Sequence, residues 1–164
     1  MPKRPNTAII EKYLRKNDLH FQKDPHDKGL FRMGMVVRGL AFDLIIHDSS
    51  SQEAVLFLFP HIAFVPKQRR KDFAGLLSEV NYGLLLGSYE MDPADGEVRL
   101  KLGIPTDRTA VTEQQIDRCV GFLVGLLNKS FPQIASFVAG TEGRGKSRRG
   151  KSARRTKELE PAEL

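Results

Sequence analysis

Gly140-Thr141-Glu142-Gly143-Arg144-Gly145-Lys146-Ser147 satisfies the spacing of a phosphate loop, in which backbone amides and a lysine cradle the phosphates of a nucleotide. Such a loop works when a strand and a helix hold it so that amides and a helix N-terminus face the phosphate. Here it would have to launch Arg148-Arg149-Gly150-Lys151, which offers a helix no apolar face. No aspartate closing an apolar strand is placed to hold magnesium, and the match reads as a by-product of a Gly/Lys/Ser-rich segment. The charge of that segment carries more. Arg144, Lys146, Arg148, Arg149, Lys151, Arg154, Arg155 and Lys157 occur with no acid among them. They would neutralise phosphates and bind nucleic acid weakly, with steep salt dependence. The alternative is a tail that simply stays solvated. No aromatic residue is interleaved with these arginines, so base stacking has no source.

The remaining reactive side chains have simpler explanations. Glu90, Asp92, Asp95 and Glu97 gather around one turn, where turn chemistry accounts for the aspartates and the wet face of a strand for the glutamates. His20, His26, His47 and His61 lack the helical spacing of a zinc site. Ser49–Ser51 has no nucleophile-elbow context. Cys119 sits on an apolar helix face and reads as a core residue. No catalytic constellation, cofactor or metal is expected, and the chain reads as a non-enzymatic protein.

At 164 residues and a formal net charge of +6, the chain is long enough for one domain with extensions. A single cysteine excludes an internal disulfide and fits a reducing compartment. No run approaches the apolar length of a membrane span, and no apolar stretch follows the basic leader Met1–Pro5, so a cytoplasmic protein without a secretory signal is expected. Much of the positive balance belongs to residues 144–157, and Glu158, Glu160 and Glu163 follow.

The elements that would hold a site follow from periodicity. A helix capped by Asn6 or Thr7 runs to about Lys16, with Ile9, Ile10, Tyr13 and Leu14 on one side. Residues 17–29 read as a polar connection anchored by Leu19 and Phe21. Phe31, Met33, Met35 and Val37 alternate with Arg32, Gly34 and Arg38, although Val36 breaks the polar side. Arg38-Gly39 turns into a second strand through Phe42, Leu44 and Ile46, and Asp48–Ser51 reads as the next turn. Ala54–Phe59 is apolar on both faces, the mark of a central strand, and Pro60 should end or bulge its ladder. Pro66 opens a helix with Phe73, Leu76, Leu77 and Val80 as its stripe. Its basic start, Lys67–Lys71, opposes the helix dipole and is read as an anion contact.

Leu84–Met91 then reads as an extended run, Asp92–Gly96 as a turn, and Val98, Leu100, Leu102 and Ile104 as the buried face of the return strand. Thr112-Glu113-Gln114-Gln115 is a capping box. The helix behind it carries Ile116, Cys119, Val120, Leu123, Val124 and Leu127, widened by Phe122 and Leu126, until Pro132 interrupts. Ile134, Phe137 and Val138 suggest a short element folding back. The order is α-β-β-β-α-β-β-α, an α+β plan with helices packed on a mostly antiparallel sheet.

Asn81-Tyr82, then Gly87-Ser88-Tyr89-Glu90-Met91-Asp92-Pro93, then Gly96-Glu97-Val98-Arg99 resembles the YbjN-like family. That family shares the fold of the type III secretion chaperones. The likeness is strongest over residues 73–139, continues by element order over 6–65, and stops at the tail after Gly140. It implies a bacterial, cytoplasmic, usually dimeric protein: a chaperone-like adaptor or sensory transduction regulator. The chain therefore divides into a basic leader at 1–5, a secretion-chaperone-like domain at 6–140, and a disordered basic tail with an acidic end at 141–164. The expected activity is holding a client segment on sheet and helix surfaces, with Arg32, Arg38, Tyr89, Met91, Phe122 and Leu126 as partner or dimer contacts. The alternative is a nucleic-acid-associated protein using the tail.

Overall fold

Alternating segments of the sequence become the strands of one antiparallel sheet, in the computed structural model that describes residues 5–49, 51–106 and 109–140. In chain order the elements are α1 (Pro5–Lys16), β1 (Gln22–Lys23), β2 (Leu30–Val37), β3 (Leu40–Ser49) and β4 (Ala54–Phe64). A 3-10 turn (Lys67–Arg69) leads into α2 (Arg70–Tyr82), followed by β5 (Ser88–Met91), β6 (Glu97–Pro105) and α3 (Glu113–Val138). The sheet order is β1-β2-β3-β4-β6-β5, with every neighbouring pair antiparallel. β4, apolar on both faces, lies inside the sheet as its composition requires.

One face of the sheet carries Phe31, Met33, Leu44, Ile46, Val55, Phe57, Phe59, Val98, Leu100 and Leu102, all buried. Ile10 and Leu14 of α1, Phe73 and Leu77 of α2, and Ile116, Val120, Leu123, Leu127, Ile134 and Phe137 of α3 complete the same core. All three helices therefore pack on one face. Area removed from water is the main stabilising term, at roughly 25 cal/mol per Å² of apolar surface.

Several local devices match the sequence. Arg38 and Gly39 both adopt positive φ (55° and 76°), the conformation of a two-residue hairpin turn whose twist suits the flanking strands. Thr112 caps α3 with its side chain accepting from Gln115 N, while the Gln115 side chain accepts from Thr112 N at 2.8 Å. Thr112→Ala should therefore cost about 1 kcal/mol in urea denaturation, and an unchanged midpoint would contradict a stabilising cap.

Five expectations change. α1 already begins at Pro5, so Asn6 and Thr7 lie inside its first turn and their side chains bond Asp48 and Val111 N. Residues 17–29 contain a strand, β1, whose two residues pair with Arg32 and Phe31 and are too few to show alternation. Asp48 and Ser49 belong to β3, paired with Val55 and Ala54, and are not part of the turn. Leu84–Gly87 is not extended: β5 begins at Ser88, after Gly87 at φ 75°. α3 runs straight through Pro132 to Val138. Proline has no N–H for the carbonyl four residues earlier, that of Asn128. The Arg38 guanidinium donates to that carbonyl from the β2–β3 turn at 3.4 Å, so the freed acceptor has a partner.

Candidate protein-binding surface

With the helices on one side, the alternate residues of each strand face outward. The register places Arg32, Ile45, Leu58, Lys101 and Ser88 in one row across β2, β3, β4, β6 and β5. Leu30, His47, Leu56 and Gly103 form the adjacent row. The middle of this face is apolar and its rims are charged. Glu90 Oε2 accepts from Arg99 at 3.0 Å and Glu90 Oε1 from Lys101 at 2.6 Å. Burial raises the Glu90 pKa, but these two hydrogen bonds outweigh it and the carboxyl lies below its usual range. At the other rim His47 Nε2 lies 2.8 Å from Asp27 Oδ2.

A second apolar surface lies where α2 leads into β5. Tyr82, Leu85 and Leu86 are 96%, 89% and 54% exposed. Apolar side chains held out together mark interaction sites more often than isolated ones do. Beside them, Asn81 donates from Nδ2 to Tyr89 O and accepts from Tyr89 N at Oδ1, both at 2.9 Å. An edge strand left open invites another strand, and here a side-chain amide fills the position that strand would take. A partner meeting this corner therefore meets side chains rather than backbone.

The predicted contact residues are scattered. Arg32 is exposed on the bare face beside Ile45. Arg38 sits at the far hairpin turn, bound to α3. Tyr89 is only 2% exposed, because the strand's phase turns its ring toward the helices, so it is removed from the surface. Its hydroxyl is buried near Ser130 without a hydrogen bond of good geometry, and burial pushes the phenol up to about 12. Met91, Phe122 and Leu126 are half-buried against the core. Phe122 and Leu126, four residues apart on α3, share one helix face, while Arg32, Arg38 and Tyr89 lie apart from them. The eight tail cations, and the phosphate-loop pattern beyond Gly140, lie outside the described residues.

The basic run Lys67–Lys71 proves to bind carbonyls. Arg70 donates to Val65 O (3.1 Å), Pro93 O (3.1 Å), Ala94 O (2.9 Å) and Asp95 O (2.6 Å), gripping the β5–β6 turn. Arg69 donates to Phe137 O and stacks 4.2 Å from the Phe137 ring centroid, tying the start of α2 to the end of α3. Two of its five residues thus serve the fold, and the anion they satisfy is the partial charge on main-chain oxygens.

The carboxylates of the turn are likewise engaged. Asp92 Oδ1 accepts from Ala94 N and Asp95 Oδ1 from Glu97 N, while Glu97 Oε1 accepts from His61 N. Among the described residues no group of three or more His, Cys, Asp or Glu is placed to hold a metal, and no helix is long and apolar enough to cross a membrane. Cys119 is half-buried, and burial pushes its thiol up, away from a reactive thiolate.

Tyr82, Leu85 and Leu86 were missed because three leucines before a glycine look like the start of a strand, which would bury half of them. The exposed Val36 was legible as the residue breaking its strand's polar side.

A one-sided antiparallel sheet covered by three helices defines an α+β protein, and its chaperone-like fold is read from solved structures. Comparison with solved structures agrees: a chain of the HopA1–SchA chaperone–effector complex is 13% identical with a TM-score of 0.52, over 76% of this chain and 94% of that one. The E. coli YbjN crystal structure is 16% identical with a TM-score of 0.61, over 80% of this chain and 93% of that one. Residues 6–136 match the family described as "YbjN: Putative bacterial sensory transduction regulator", and the chain belongs to the YbjN family. No curated protein matches the sequence.

Proposed function

We propose that this protein is a non-enzymatic, cytoplasmic, protein-binding regulator that works as a homodimer and holds a segment of a partner protein in the manner of a chaperone. The observation that carries the reading is the exposed group Tyr82, Leu85 and Leu86 beside a β5 edge already blocked by Asn81. A second copy brought up about a two-fold axis buries the same three residues from both sides, and an isologous contact closes without forming a filament. The bare sheet face, with the part-exposed Leu56 and Leu58 at its centre and Arg32 at its rim, is then left for the partner. Met91, Phe122 and Leu126 lie on the helix side of the sheet and offer their exposed parts as a separate contact there. The fold shared with a chaperone–effector complex supports this reading by analogy.

Light scattering tests it. The wild-type chain should run at twice its monomer mass, and the triple variant Tyr82→Ser, Leu85→Ser, Leu86→Ser at monomer mass with an unchanged far-ultraviolet spectrum. A wild-type monomer would remove the dimer. For the partner, capture from nuclease-treated extract by the full chain and by a chain ending at Gly140 should yield the same identified protein. If only the full chain captures anything and nuclease abolishes it, the basic tail and nucleic acid are the function instead.

A further inference from the structure

The β3–β4 ladder stops at Ile45–Leu58, although β3 continues back to Leu40 and β4 onward to Phe64. Continued in register, Asp43 would face Pro60 and Ala41 would face Ile62. Two features of β4 prevent this. Pro60 has no N–H to donate. His61 adopts φ 52° within a register shift between Phe59 and Ala63, and its amide is turned to Glu97 Oε1 at 3.1 Å. The two strands therefore separate, and an open cleft of ≈ 420 Å³ lies between them. Leu40, Phe42 and Asp43 line one side, Pro60 and Ile62 the other, and Phe131 of α3 meets Phe42 edge-on at 5.2 Å between ring centroids.

The backbone chemistry of this cleft follows from alternation. In an antiparallel hairpin closed by a two-residue turn, Val37 and Leu40 exchange both hydrogen bonds, and so do every second pair after them. Leu40, Phe42 and Leu44 thus spend their main-chain groups on β2, while Ala41 and Asp43 point theirs toward β4. At Ile45 and His47 that direction is filled by Leu58 and Leu56. At Ala41 and Asp43, β4 has withdrawn. The Asp43 carboxylate is exposed on the outer face, opposite Gly34, and has no ion pair among the described residues.

We propose that this cleft takes one extended segment of a partner protein as an inserted strand. Its alternate apolar side chains would point inward against Phe42 and Phe131, and a basic side chain would lie outward against Asp43. An extended backbone is the chemistry that matches the unpaired β3 edge at Ala41 and Asp43, and the carboxylate supplies the charge preference. The inference rests on the protein-binding reading above and names the conformation and charge of what is bound. It differs from pairing at the outer edge of β2, where Gly34 and Val36 are open on one side only.

The test uses the full chain and a capped hexapeptide alternating lysine and valine. Binding should shift the Ala41 and Asp43 amide signals and slow their hydrogen exchange. The lysine residues opposite Asp43 are those whose N–H groups meet β3, so N-methylation of the lysines should weaken binding about tenfold or more, two hydrogen bonds being lost. Asp43→Lys should invert the preference, toward a glutamate–valine hexapeptide. The inference is overturned if the N-methylated peptide binds equally well, or if the shifts fall at Gly34 and Val36 or at Tyr82–Leu86. Protection of Ala41 and Asp43 without any peptide, with the chain itself filling the cleft, also overturns it. Each of these results leaves the dimer and the captured partner standing, whereas a monomer that captures nothing removes the broader reading as well.

Discussion

Gly96→Ala should lower the melting temperature by roughly 10–15 °C, since a loss of about 4 kcal/mol in a domain of this size shifts the midpoint by that much. Two effects add. Gly96 adopts φ 85°, where any side chain is strained by about 1–2 kcal/mol. A Cβ there would also lie 2.2 Å from Val65 O and 2.7 Å from Arg70 Nε. Neither neighbour can move freely: Val65 N donates to Gly96 O at 2.8 Å, and Val65 O and three carbonyls of the β5–β6 turn share the Arg70 guanidinium. The clash therefore spreads to the junction of β4, α2 and the hairpin. Gly103→Ala is the matched control, because a Cβ there meets nothing within 4 Å on the outer face. Circular dichroism melts of the two variants decide it, and a Gly96→Ala shift no larger than the Gly103→Ala shift would refute the account.

Asp48→Ala should cost about 3 kcal/mol by urea denaturation, the penalty for leaving buried donors without their charged acceptor. Asp48 is 3% exposed on β3, where Oδ1 accepts from Asn6 Nδ2 at 3.3 Å and Oδ2 from Thr7 Oγ1 at 2.9 Å. Asn6 in turn accepts from Val111 N at 2.9 Å, so one buried group of side chains joins α1, β3 and the segment leading to α3. α1 carries no acid in its own first turn. A carboxylate from the sheet supplies the negative charge that a helix N-terminus favours. Asp48→Asn keeps the shape and one acceptor and should cost about a third as much. The double variant Asp48→Ala, Asn6→Ala should cost less than the sum of the two single ones, since each removal already orphans the other. Strict additivity would show that the contact carries no coupling.

Features that depend on a few neighbouring residues were legible in the sequence. The capping box at Thr112, the turn at Asp92–Gly96, the alternation of β6 and the stripe of α2 are each set by side chains within one or two turns of chain, and all appear in the structure. The α+β plan followed from them, because amphipathic helices and half-wet strands in that order have few ways to bury their apolar faces, while the secretion-chaperone likeness came only with the family resemblance. Other features join residues far apart in sequence, which no local window contains. Arg38 compensates Pro132 from a turn far away in sequence, so α3 passes a residue that by local rules should stop it. The same long-range contacts turned the basic start of α2 into a pair of carbonyl clamps. Tyr89 is buried and Tyr82, Leu85 and Leu86 are exposed because β5 begins only at Ser88, a boundary set by its pairing with β6 and by the Asn81 amide. Pro60 announced a break in the ladder of β4. That the break opens a cleft between two strands was decided by where β6 drew β4 away from β3, a competition between pairings that only the folded chain resolves.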